Sequence, residues 1–226
     1  MFFDQTMLLL IPALILAFYA QAKVKSTYDK YSKIPAVSWG KPGRMISEAI
    51  LHRNGIHDVE IKEVAGVLSD HYDPRDKTVN LSPHNYNESS IAAVSVAAHE
   101  TGHAIQHHVS YAPLVWRHQI LPAVNFGNSL SIPIFFIGLI VSSPLLMNFG
   151  ILLFSAVVLF QLITLPVEFN ASSRALKQLE SGHFLSPEEL AGAKKVLSAA
   201  ALTYVAAATV SAMTLIRLLI LRSQRD

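Results

Sequence analysis

Apolar residues in this chain gather into four long runs separated by polar stretches, rather than spreading at the spacing of a soluble core. Met7–Val24 carries no charge until Lys23 and has the length, roughly 20 residues, that crosses a bilayer as a helix. A second run, from about Ile120 to Val141, is interrupted by Pro122, Asn125, Gly127, Asn128 and Pro133. Its polar first half suits burial in protein better than contact with lipid. Leu145–Leu165 is more uniform, with Gln161 as its main polar residue. Val196–Leu221 is rich in Ala, Ser and Thr, small residues that let membrane helices approach closely. The first run starts near the N-terminus without a basic leader, which predicts a signal anchor rather than a cleaved signal peptide.

The polar stretches carry shorter patterns. Arg44–Asn54 reads as an amphipathic helix, with Met45, Ile46, Ala49, Ile50 and Leu51 apolar and Gly55 as its stop. Val59–Val67 and Thr78–Leu81 read as strands, and Ser69–Asp76, with Asp73-Pro74 inside it, reads as the turn of a hairpin between them. Such a hairpin offers an edge with which an extended peptide can pair. Ala92, Ala93, Val96, Ala97 and Ala98 mark a helix that runs on into His99. The expected fold is mainly α and integral to the membrane, with four transmembrane helices and a helical domain carrying a small β-hairpin or sheet. Its expected parts are an anchor over 1–24, a polar region over 25–118, a transmembrane hairpin over 119–166, a connecting helical region over 167–195 and a last transmembrane helix with its tail over 196–226.

Composition agrees with the hydropathy pattern. Half the residues are hydrophobic (51%) and only 15% are charged, too apolar for an ordinary soluble enzyme. The net charge of +2, without a basic patch interleaved with aromatics, argues against nucleic acid as a partner and leaves the lipid bilayer as the evident one. Lys and Arg fall in the loop between the first two runs and again at Arg174, Lys177, Lys194 and Lys195 between the last two; Ser142–Pro144 has none. The positive-inside rule then predicts a multi-pass protein of the cell membrane with both large loops cytoplasmic and the tail bearing Asp4 outside. Arg217, Arg222 and Arg225 fit an outside C-terminus poorly.

The chemistry sits at His99-Glu100-Thr101-Gly102-His103. Residues four apart on a helix share a face, so both imidazoles can grip one ion, with Glu100 projecting beside them where an attacking water would sit. This pattern implies one zinc ion and hydrolysis of a peptide or protein substrate, with Glu100 as general base. There are no cysteines, so any zinc must be held by His and carboxylate. His107 and His108 lie too far along the helix to share the ion of His99, and His107 suits a supporting or solvated position. Glu168, just after the third apolar run, returns to the side of His99 because two crossings separate them, and is the candidate third ligand. The competing reading makes it an N-terminal helix residue favoured by the dipole. Ser172 and Asn170 are candidates to orient a ligating histidine, Arg174 to stabilise an oxyanion, and His71, like His84, to approach from the preceding loop.

Gly66–Arg75 with Leu81-Ser82, then Ser90–Ala93 and Ala97–His107, resembles the YugP-type membrane zinc metallopeptidases, and Leu165–Ser172 with Arg174-Ala175 matches that family's later motif. The resemblance covers nearly the whole chain from about Ser26. It implies a gluzincin-like metallopeptidase, more distantly similar to HtpX-type and CAAX-prenyl proteases, in which His99, His103 and Glu168 are ligands and Glu100 is the base. Ser172 stands where the wider group has Asp. Two other readings remain open at this stage. One is a non-catalytic membrane scaffold or adaptor tied by zinc, which would close the site with a fourth ligand such as His71. The other is a zinc transporter or sensor, which would need ionisable ligands within the apolar runs.

Overall fold

The computed structural model describes residues 5–225, so the tail with Asp4 lies outside the described residues. A short 3-10 turn, Gln5–Leu10, leads into α1 (Ile11–Tyr31). There follow α2 (Gly43–Arg53), β1 (Glu60–Glu63), β2 (His71–Asp73), β3 (Thr78–Leu81), α3 (Pro83–Asn87), α4 (Ile91–His108), α5 (Ala112–Ile140), α6 (Pro144–Ser181) and α7 (Pro187–Ser223). The helices at the four apolar runs are each long and apolar enough to cross a membrane. The expected mainly α, membrane-type architecture with a small sheet is the one found.

The chain forms two compact units. Among the described residues, one gathers the apolar segments 5–21, Pro113–Pro166 and 202–225. Its core is built from Val124, Phe135, Met147, Phe154, Val157 and Leu218. Small residues set the helix spacing there. A Cβ on Gly127 would lie 3.0 Å from the Leu153 carbonyl oxygen, and one on Gly150 would lie 2.8 Å from the Ser131 carbonyl oxygen. Pro122 and Pro133 both sit inside α5 without ending it. The expectation that the polar first half of this run is buried in protein does not hold. Val124, Gly127 and Ser131, at three- and four-residue spacing, face inward, and that periodicity turns Asn125 and Asn128 outward to exposed positions.

The second unit, Ala22–Ala112 with Val167–Ala201, holds the candidate chemistry. α4 is its centre: Ile91, Ala92, Ala93, Val94, Ala97 and Ala98 are all buried, and the run of alanines leaves room for neighbours to pack close. The Ser90 hydroxyl caps α4, accepting from the Ala93 amide at 3.1 Å. α2 packs with Ile46, Ile50 and Leu51 in the same core, and its first residue, Gly43, lies against the carbonyls of Asn85 and Ala93, where any Cβ would collide. Gly55 follows α2 at φ +68°, the left-handed conformation that suits a helix stop.

The sheet differs from the expected hairpin. Its order is β1-β3-β2, with β1 parallel to β3 and β2 antiparallel to it, pairing His71 with Asn80 and Asp73 with Thr78. The segment with turn chemistry therefore contains a strand, and the turn proper is confined to 74–77. β3 is central and buried at all four positions, whereas β1 is largely exposed. Asp70 sets the entry to β2: its carboxylate accepts from the Ser82 amide (2.7 Å), the Ser82 hydroxyl (3.0 Å) and the Asn85 side-chain amide (2.9 Å). Tyr28 on α1 donates its hydroxyl to Asn85 Oδ1 at 2.8 Å, extending the same network.

Candidate metal centre

α4 presents His99 and His103 one turn apart, with ring centroids 4.8 Å apart and planes nearly perpendicular. α6 brings Glu168 to them. Its Oε2 lies 3.3 Å from His99 Nε2 and 3.5 Å from His103 Nε2. The Glu168 side of α6 can come this close because residue 102 is glycine: a Cβ there would sit 2.7 Å from the Ala171 carbonyl oxygen. α6 runs unbroken from Pro144 through Pro166 to Ser181, so Glu168 is in a helix interior and not at an N-terminus. The dipole explanation for that glutamate therefore does not apply. Its side chain is buried, at 3% exposure.

Among the described residues, His99, His103 and Glu168 are the one group of His, Cys, Asp or Glu side chains that could hold an ion together. Donors about 2 Å from a tetrahedral centre lie about 3.3 Å from one another, close to the separations here. Two imidazoles and a carboxylate are donors that zinc accepts, and three protein ligands leave a fourth position for a reactant. The residues present fit the ion.

The remaining ring nitrogens are engaged. Ser172 Oγ lies 3.2 Å from His99 Nδ1, in place to accept its N–H. His103 Nδ1 lies 3.0 Å from Gln106 Oε1. Gln106 is wholly buried, and its Nε2 donates to the Val167 carbonyl (2.8 Å) and to Asn170 Oδ1 (3.0 Å). Arg174 Nε donates to that same Asn170 oxygen at 2.7 Å, and the guanidinium lies over the Tyr111 ring. Gln106 escaped the sequence reading, although its position three residues beyond His103 puts it on the same helix face.

Glu100 follows His99 and is 9% exposed. Burial pushes its carboxyl up to about 7; the negative charges of Glu168 and Asp70 add to this, while His99 and the backbone amide of Tyr72 oppose it. Of the other candidates, His107 Nδ1 shares a 2.7 Å hydrogen bond with the Tyr72 hydroxyl, tying the end of α4 to β2. His71 is exposed, with Nδ1 2.8 Å from the Ser69 carbonyl. His84 lies edge-on to Tyr28, 3.4 Å from Ser90 Oγ through Nε2.

Comparison with known proteins gives two matches of nearly full length. A family model described as "Putative neutral zinc metallopeptidase" matches residues 6–223. The "Putative membrane protease YugP" of Bacillus subtilis (strain 168) is 53% identical over 209 residues, 92% of either chain. No solved structure matches.

Proposed function

The chain belongs to the neutral zinc metallopeptidase family, and on that premise we propose that it hydrolyses peptide bonds of membrane or membrane-proximal proteins. The convergence of His99, His103 and Glu168 beside a buried Glu100 carries this reading. His99 and His103 would hold the ion through Nε2 and Glu168 through its carboxylate. Zinc bound there supplies a Lewis acid that polarises the scissile carbonyl and makes water a nucleophile near neutral pH. Glu100 takes a proton as the water oxygen attacks the carbonyl carbon, then returns it to the amide nitrogen as the C–N bond breaks; the second water proton passes from the new carboxylic acid to the amine, leaving a carboxylate and an ammonium. The Tyr72 amide, facing the Glu100 carboxylate, keeps it oriented during the exchange. A structural zinc site would have no use for a base at this position, and it would call on a fourth protein donor beyond the three gathered here.

Four apolar helices in the same chain support substrates that lie in or beside the bilayer. The distribution of Lys and Arg supports a multi-pass protein of the plasma membrane with its site on the cytoplasmic side. The test is to purify wild type and Glu100→Gln in detergent at equal zinc content and compare their cleavage of membrane-protein and unfolded soluble substrates. Cleavage by wild type alone is expected, fastest on the membrane proteins. Equal cleavage by both preparations would remove Glu100 as base, and equal rates on soluble and membrane substrates would remove the proposed preference.

A further inference from the structure

Resting on the metal-site reading above, we propose that Gln106, Asn170 and Arg174 form a positioning relay that fixes the tautomer of His103. The argument is one of donors and acceptors. Arg174 has only donors, so its 2.7 Å contact requires Asn170 to present the side-chain oxygen. The Val167 carbonyl has only acceptor capacity, and Asn170 presents oxygen, so the Gln106 atom that meets both must be the NH2 group. Gln106 is then left with its carbonyl oxygen toward His103 Nδ1, 3.0 Å away. That oxygen accepts, so His103 must carry its proton on Nδ1. Nε2 keeps its lone pair, and Nε2 is the atom that lies 3.5 Å from Glu168 Oε2.

Each link excludes the alternative amide orientation at the next. An amide flip at Gln106 would aim NH2 at the imidazole and oxygen at two other oxygens. Burial makes that arrangement costly, because Gln106 is shut off from solvent and no water can repair the mismatch. The relay also spans the contact between α4 and α6, since Gln106 is on one helix and Val167, Asn170 and Arg174 are on the other. The tautomer of one ligand and the placement of Glu168 are therefore held by the same four groups. His99 has a simpler partner in Ser172.

The test measures zinc dissociation constants by competition with a chromophoric chelator, and the visible spectrum of the Co2+-loaded protein, for the full chain in detergent. Wild type, His103→Ala, Gln106→Met, Asn170→Leu and Asn170→Asp are compared, with folding checked by circular dichroism. Gln106→Met keeps the volume and loses the acceptor, so zinc affinity should fall about 10–100-fold and the cobalt spectrum should change. Asn170→Leu should fall in the same direction. Asn170→Asp still offers oxygen to Arg174 and to Gln106, and should stay within about threefold of wild type, a rescue that packing alone does not predict. Wild-type affinity and spectrum in Gln106→Met, or Asn170→Asp as weak as Asn170→Leu, would overturn the relay. The Asn170 pair alters no group touching His103 and decides the matter if Gln106→Met does not fold. Zinc affinity unchanged in His103→Ala, or no zinc bound by wild type, would instead overturn the metal-site reading.

Discussion

Glu100→Gln should make the metal-free protein more stable, and increasingly so as pH rises. Burial raises the Glu100 carboxyl from an ordinary 4.5 to about 7, so folding favours the protonated acid and opposes its ionisation. A raised carboxyl leaves stability intact at pH values below its unfolded value and erodes it as pH climbs toward the folded one. The erosion amounts to about 1 kcal/mol at pH 5 and levels off near 3 kcal/mol at pH 8. Glutamine keeps the shape, carries no charge and still offers an oxygen to the Tyr72 amide, so it escapes this loss. Thermal melts of chelator-treated wild type and variant at the two pH values should show the variant's advantage growing by about 2 kcal/mol, a few degrees in midpoint for a chain of this size. A cation beside the carboxylate favours the ionised form, so restoring zinc should shrink the pH-dependent gap. A variant advantage that is the same at pH 5 and pH 8, or smaller at pH 8, would refute the claim that Glu100 is held against ionisation by burial.

The close helix approach at Gly102 gives a second expectation. Gly102→Ala puts a methyl 2.7 Å from a backbone oxygen that cannot swing away. The helices must separate, lowering stability by about 1–3 kcal/mol and weakening zinc binding in a chelator competition; wild-type affinity would show that the approach is dispensable. The orientation of the polar unit is open to single-cysteine labelling, because the chain has no cysteine of its own. Asp76→Cys, at an exposed turn position between β2 and β3, should react with a membrane-impermeant maleimide only after cells are permeabilised. Labelling of intact cells would invert the proposed topology.

Features that repeat locally were legible in the chain. The four spans follow from hydropathy, α2 from its apolar stripe and stop glycine, and the His99–His103 pair from helical spacing alone. Glu168 was reachable because two apolar runs, taken as two crossings, would return the chain to the side of His99. What escaped were properties of contacts between segments distant in sequence. β2 lies in residues rich in turn formers and exists because Asp70 is tethered to Ser82 and Asn85, and β3 supplies its partner backbone. The parallel pairing of β1 with β3 leaves no trace in either strand's own pattern. Gly102 reads as a poor helix former until the Ala171 carbonyl is seen beside it. Gln106 reads as one more polar residue among histidines until α6 is in place to complete its hydrogen bonds. Asn125 and Asn128 were expected inside, but a composition argument cannot say which face of α5 they share.

His99 and Glu168 lie 69 positions apart, with two apolar runs between them. During synthesis the HExxH helix therefore emerges long before its third donor, and a chain stopped anywhere short of Glu168 owns only two of the three. On the proposed reading, hydrolytic capacity is not a property of the motif but of the finished hairpin. On that same reading, an unfinished or misinserted copy would keep its histidines without the protease, and the order of the segments along the chain would itself delay activity until the intervening helices have been made.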